Sequence, residues 1–338
     1  MKLLTITVPC YNSQDYMEKC LDSLLTGGDR VEIIVINDGS TDATGAIADT
    51  YAQRYPDIVK VVHQENGGHG EGINQGLLHA TGIYFKVVDS DDCLSEDFPG
   101  FLDLLEACHE SGGVDLMVTN YYYVHTDGKG DRSIQYTNAL PDTRIFSWKE
   151  TKPFRIHQLL TIHSCTFRTQ LMREHAQPLP KHIFYEDNLM VCQLLPHVKR
   201  MRYMNADLYR YWIGRPDQSV QQSISCQRYS HQLTVAQRCF TSCRLDSIVE
   251  KRQKKYLKHE LFMMFGIGIM FTRTGKTDRQ NRDRDLEQMW EGCRSFDKRW
   301  ANHFRYRTPL WFICIPGSFG RWFTGVIYWI ANKIVRFN

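Results

Sequence analysis

The segment Asp89-Ser90-Asp91-Asp92 sets three carboxylates within four positions, directly after the hydrophobic run Ile83-Tyr84-Phe85-Lys86-Val87-Val88. Carboxylates that close repel one another unless a cation neutralises them, and Mg²⁺ or Mn²⁺ does so through hard oxygen ligands. Such an ion keeps part of its shell for water and substrate phosphates, so one or two carboxylates plus a diphosphate complete a site. The plain alternative is a turn in which an Asp caps the helix beginning near Leu94-Ser95-Glu96. One acid suffices for a cap, and three favour the metal.

Two other polar clusters follow strand-like runs: Pro9-Cys10-Tyr11-Asn12 and Asn37-Asp38-Gly39-Ser40-Thr41-Asp42. The second is either a turn with a helix cap or a base-binding site, in which a carboxylate accepts a uracil N–H and Tyr11 offers a ring face. Asn66-Gly67-Gly68-His69-Gly70-Glu71-Gly72 is a glycine-rich approach to a helix, where backbone can come close to a nucleotide. It is not the dinucleotide fingerprint, because three residues rather than two separate Gly72 from Gly76. Near residue 275, Arg273-Thr274-Gly275-Lys276-Thr277 hints at a P-loop, but Met270 stands where that loop needs glycine.

The elements that must position these clusters alternate strand and helix over the first 120 or so residues. Strands are expected at 5–8, 31–36, 58–63, 83–88 and 115–124. Helices are expected from about Asn12 or Ser13 to Leu25, and near 42–55, 70–80 and 96–111. Such alternation implies an α/β fold with a mostly parallel sheet. Ligands of such sheets bind outside the carboxyl ends of the strands. All three polar clusters fall at strand ends and converge on one crevice. The pattern is mixed over 125–220, with a helix around Asn188–Leu195, and mainly helical with a basic stretch over 221–308.

These segments resemble the family 2 glycosyltransferases of the GT-A fold. The matching residues are Val8-Pro9-Cys10-Tyr11-Asn12, Ile36 to Asp42, Glu65-Asn66-Gly67-Gly68, Asp89-Ser90-Asp91-Asp92 and Tyr185-Glu186-Asp187, in order over about residues 3–220. The resemblance implies a nucleotide pocket lined by Pro9, Tyr11 and Asn12, with Asp38 on the base and Asn66 on the nucleotide. It implies Asp89 at the ribose or metal with Ser90 beside it, and Asp91 on the metal that bridges the phosphates. It makes Asp187 the general base, and places Arg215 and Ser219 in a loop that closes over the diphosphate. The implied activity is inverting transfer from a nucleotide diphosphate sugar, with UDP favoured, using Mn²⁺ or Mg²⁺. The acceptor would be a hydroxyl of a lipid-linked or growing glycan. One departure stands out: Ile73 precedes Asn74 where many members carry Arg, so a donor contact is lost or passes to another group such as His69. Glu186-Asp187 reads equally as the acidic first turn of a helix.

The chain has 338 residues and a formal charge of +3, too near balance to demand nucleic acid, and 11 scattered cysteines that suit reduced cytosolic thiols rather than a disulfide scaffold. Cys239 and Cys243 are better read as helical core than as metal ligands. The start shows no secretory signal pattern, so a cytoplasmic protein is expected. Residues 309–338 are rich in Trp, Phe and Ile, and Arg321 splits them into apolar pieces shorter than the roughly 20 residues that span a bilayer. The tail is therefore an in-plane anchor on the inner membrane face or a helix packed on the protein. The other functional classes are a metal-dependent nucleotidyltransferase, which would release pyrophosphate, and a non-enzymatic membrane-surface binding protein, which leaves the strand-end acids unexplained.

Overall fold

The computed structural model describes residues 2–335 apart from 127, 129, 215–221 and 276. β1 (Leu4–Cys10) and β2 (Val31–Asp38) are buried along their whole length, as β-branched runs covered on both faces should be. They pair in parallel, with Leu4 opposite Val31 and Cys10 opposite Asn37. After α1 (Met17–Leu25) and α2 (Thr44–Arg54), β3 (Val59–Gln64) extends the parallel register beyond β2. α3 (His69–His79) then leads to β4 (Tyr84–Val87), which pairs in parallel with β1. Four carboxyl ends therefore share one edge of the sheet, and Tyr11, Gly39, Glu65 and Val88 leave it side by side.

The remainder of the sheet is built from β5 (Cys93–Leu94), β6 (Leu116–His125), β7 (Arg132–Ile134), β8 (Cys165–Arg168) and β9 (Met201–Ile213), with α4 (Phe98–Glu110), α5 (Thr169–His175) and α6 (Glu186–Leu194) around it. The strand order is β3-β2-β1-β4-β8-β6-β9-β5, with β7 paired to β6. β6 and β9 are parallel, but β8 runs antiparallel to β4 and β6, and β5 antiparallel to β9. The fold is α/β as expected, and the sheet, expected to be mostly parallel, is mixed. No α-helix lies between β7 and β8, so β8 is not delivered by the helical crossover that parallel pairing requires.

The chain divides into two units, residues 1–213 and 214–338. The second holds α7 (Gln222–Gln227), α8 (Tyr229–Ser242), α9 (Lys251–Thr274), α10 (Arg279–Arg307), α11 (Leu310–Ile313) and α12 (Gly317–Val335). Its centre is aromatic: Phe265 lies 4.8 Å from Trp290, 5.4 Å from Phe304 and 5.8 Å from Phe240. Cys239 and Cys243 are buried here as packing residues, and none of the eleven cysteines is in a disulfide. Among the described residues no helix is long and apolar enough to cross a membrane.

α3 lies so close to β1 that a Cβ on Gly76 would sit 2.0 Å from Thr7 Oγ1, and one on Gly72 would sit 2.9 Å from Pro9 Cβ. The glycines of this segment admit the helix to the sheet. Gly76→Ala should therefore lower stability by about 1–3 kcal/mol, read as the midpoint of urea unfolding. An unchanged midpoint would show that α3 can move away from β1 freely.

Candidate active site

His69 is the first residue of α3, and the left-handed backbone of Gly68 (φ 85°) turns the chain into it. Its imidazole is held from both sides. Nε2 lies 2.9 Å from Asp89 Oδ1 and Nδ1 lies 2.8 Å from Glu186 Oε1. A ring that meets a carboxylate at each nitrogen donates twice and carries positive charge. Burial alone would depress its pKa, but Asp89 and Glu186 override that and hold it well above its ordinary value. Gly70 makes room for the contact, because a Cβ there would stand 2.8 Å from Glu186 Cγ.

Asp89 faces a second imidazole: His163 Nε2 lies 3.7 Å from its Oδ2. Burial would raise the Asp89 pKa, yet His163 and His69 outweigh it and keep the carboxyl well below the usual range. Asp92 is fully buried and serves another purpose. It accepts Tyr209 O–H at 2.7 Å and the Trp212 backbone N–H at 2.8 Å, while Tyr209 Oη accepts the Asp89 N–H. Burial, then repulsion from Asp91 and Asp89, pushes its pKa well above normal. The crowding of acids in this turn is thus relieved partly by the protein itself, and Asp92 fastens β9 to the end of β4.

The base-site cluster is equally bonded. Asp38 Oδ1 accepts from Gln64 Nε2 at 2.6 Å and the Gly67 N–H at 2.8 Å, and Oδ2 accepts the Gly68 N–H at 2.8 Å. Asn66 Nδ2 donates to the Asp38 carbonyl. Asp38 therefore positions the loop that delivers His69, and Oδ2 keeps lone-pair capacity for one further donor. Asn12 (φ 50°) joins the ends of β1 and β2, receiving the Thr41 N–H and giving its own N–H to Ser40 Oγ. Ser13 Oγ meets Ser90 Oγ at 2.8 Å, and Tyr11 is 55% exposed just after β1, in which Pro9 is buried.

Tyr185, in the left-handed region (φ 71°), opens α6 and turns Glu186 inward. Backbone in that region is costly for a non-glycine residue and is usually retained at working sites. Asp187 follows, half-buried, with Oδ1 accepting Asn188 Nδ2 at 2.9 Å. Burial, then Glu186, raises its pKa to about 6 against the opposing pull of His163 and His69. Bonded links thus run from Asp38 through Gly68 and His69 to Asp89 and Glu186, the neighbour of Asp187. Asp91 lies half-buried on the same turn, near enough to Asp92 to raise its pKa. Arg215 and Ser219 lie outside the described residues.

Four residues around Asp89 escape sequence reasoning. His163 comes from a turn with no local signature, held by buried Lys86, whose Nζ donates to the carbonyls of His163 at 2.9 Å and Cys165 at 3.3 Å. Burial pushes the Lys86 pKa down to about 8. Tyr209 and Tyr211 flank His163, with ring centres 4.8 and 4.4 Å away. At the departure from the family pattern, Ile73 is buried and Asn74 ties down Leu179 through both backbone groups, so neither offers a cation. His69, one turn earlier on α3, carries a positive charge between its two carboxylates.

Asp89, Asp92 and His163 bring one ligand atom each to within 4.8 Å of one another. The carboxylates suit Mn²⁺ and Mg²⁺, whereas an imidazole suits softer ions and Asp92 already accepts two hydrogen bonds. Replacing His69 by Leu strands Asp89 and Glu186 without their shared donor. We expect a loss of about 3–5 kcal/mol in chemical denaturation, and a loss below about 1 kcal/mol would show the bridge to be energetically idle.

A family model described as glycosyl transferase family 2 matches residues 5–174. The glycosyltransferase GlyA of Streptococcus pneumoniae serotype 4 is 29% identical over 222 residues, which make up 63% of this chain and 31% of GlyA. The chain spans between 31% and 60% of the length of the first curated relatives it matches. Among solved structures, S. aureus TarS 1–349 in complex with UDP-GlcNAc superposes with a TM-score of 0.65 at 19% identity, over 90% of this chain and 84% of that one. The mannosyltransferase PcManGT of Pyrobaculum calidifontis, in complex with GDP-Man and Mn²⁺, does so with a TM-score of 0.53 at 13% identity, over 96% and 86%. These likenesses establish a GT-A fold. With four of the ordered motifs at one sheet edge, the fifth at the start of α6, and the family model spanning half of the sequence, the chain belongs to glycosyl transferase family 2.

Proposed function

We propose that the enzyme moves a sugar from a nucleotide diphosphate sugar, preferably a UDP-sugar, to an acceptor hydroxyl with inversion at the anomeric carbon. The observation that carries this reading is the His69 bridge, which joins Asp89 at the strand-end turn to the helix that presents Asp187. In this reading Tyr11, Pro9 and Asn12 border the base, the open position on Asp38 Oδ2 receives a base N–H, and Asn66 contacts the nucleotide. Ser90 stands near the ribose, and Arg215 and Ser219 close over the diphosphate. Asp187 takes the proton of the acceptor hydroxyl as that oxygen bonds to the anomeric carbon. The bond to the nucleoside diphosphate breaks on the opposite face, and the diphosphate leaves with the electron pair.

Asp89 and Asp91, on the turn that follows β4, would hold a divalent cation, Mn²⁺ or Mg²⁺. When bound, it supplies Lewis-acid neutralisation of the departing phosphate charge. The UDP-GlcNAc complex of TarS and the GDP-Man and Mn²⁺ complex of PcManGT support a nucleotide-sugar donor and a divalent metal. The acceptor in this reading is a lipid-linked or growing glycan, handled in the cytoplasm on the inner face of the membrane. The free thiols accord with that compartment.

Incubation with a panel of nucleotide sugars and Mn²⁺ should release nucleoside diphosphate from one of them. Release of pyrophosphate instead would contradict sugar transfer. Asp187→Asn should cut turnover by about 10²–10⁴-fold while donor affinity by calorimetry stays nearly constant; a collapse of affinity would make Asp187 a binding residue. The base works only unprotonated. Wild-type kcat/KM should therefore climb as pH rises through about 6, and a profile flat across that range would remove Asp187 from the role.

A further inference from the structure

Residues 214–338 hold 22 of the 41 Lys and Arg but only 10 of the 38 Asp and Glu, a formal balance of +12 against −9 for residues 1–213. The near-neutral total conceals two units of opposite sign. Within the basic unit, residues 309–338 contain no acidic side chain.

α12 runs unbroken through Arg321, whose guanidinium makes a two-point contact with Asp283 on α10, at 3.1 and 2.5 Å. Thr324 is fully buried and Tyr328 meets Phe271 of α9 at 6.1 Å. These residues commit one side of α12 to the helical unit. On the other side Phe319, Trp322 and Trp329 recur at helical spacing and are 63%, 64% and 58% exposed. Trp311 and Phe312 of α11 continue this aromatic surface, with Phe312 and Phe319 each beside Phe323. Exposed Arg307 stands at the end of α10, just before it.

Five large aromatic side chains turned to solvent in so short a stretch form an apolar patch of the kind that marks an interaction site. Trp and Phe, in a helical face free of acids and on a strongly basic unit, match the boundary between lipid headgroups and acyl chains. A positive unit is drawn to anionic headgroups, so charge and ring chemistry select the same partner.

We propose that the α11–α12 face of the basic unit docks in the plane of an anionic lipid surface, with Trp311, Phe312, Phe319, Trp322 and Trp329 entering the interface. α12 lies on the bilayer and does not cross it. This inference is independent of the donor and of the transfer chemistry.

Cosedimentation of the full chain with vesicles of phosphatidylglycerol and phosphatidylcholine, and with vesicles of phosphatidylcholine alone, tests it. Binding to the anionic vesicles should be about tenfold or more stronger, and should weaken as salt rises. Phe319→Ser with Trp322→Ser should weaken it by about tenfold or more, while release of nucleoside diphosphate in solution stays unchanged. Trp311→Ser, in a different helix, should act in the same direction. Failure of the wild type to sediment with anionic vesicles would overturn the proposal, as would equal binding by these variants. A dimer in sedimentation equilibrium that Trp322→Ser dissolves would assign the face to a second copy of the chain and overturn it as well.

Discussion

A single imidazole ties the catalytic unit together. His69 lies between Asp89, at the end of β4, and Glu186, at the start of α6, and satisfies both. Neither carboxylate is comfortable without it, since an ion taken out of water needs a partner and hydrogen bonds to remain charged. The bridge also sets the electrostatics around Asp187. The imidazolium pulls that carboxyl down while burial and Glu186 push it up, leaving it poised near neutrality. A base in that range is unprotonated at ordinary pH yet still basic enough to accept a proton.

Most of the packing around His69 makes that contact possible. Asp38 spends three hydrogen bonds on the loop that precedes it, Gly68 supplies the left-handed turn, and Gly70 opens space for Glu186. Strain at Tyr185 and the clamp of Asn74 on Leu179 aim α6 from the other side. The positive ring sits at a helix N-terminus, where the backbone dipole disfavours a cation. Its two carboxylates offset that cost, so the arrangement holds only as a set.

The parallel half of the sheet was legible because strand and helix differ in period, and the order of polar clusters at strand ends points to one edge. Asp89 could be singled out for the same reason, but the Glu186-Asp187 pair only through the family resemblance, since by itself it reads as the first turn of a helix. What local pattern does not encode is a long-range partnership. His163 is delivered by a turn hung from Lys86, and nothing around either residue announces that three backbone carbonyls will converge on a buried ammonium. Asp92 reads as a third metal acid until β9 brings Tyr209 and Trp212 to it. His69 stands in the sequence only as one group that could take over a donor contact, because its two partners lie 20 and 117 positions away. The partner of Arg321 is equally hidden, because Asp283 lies 38 positions away and only the packing of α12 on its neighbours brings it close.

The most direct test of the central bridge is a double-mutant cycle on the single-turnover rate of sugar transfer, using His69→Asn, Glu186→Gln and the pair. If the two residues act as one unit, the second substitution costs little once the first is made, with a coupling of about 1 kcal/mol or more. Effects that add to within about 0.5 kcal/mol would show that His69 and Glu186 act independently and would contradict the account.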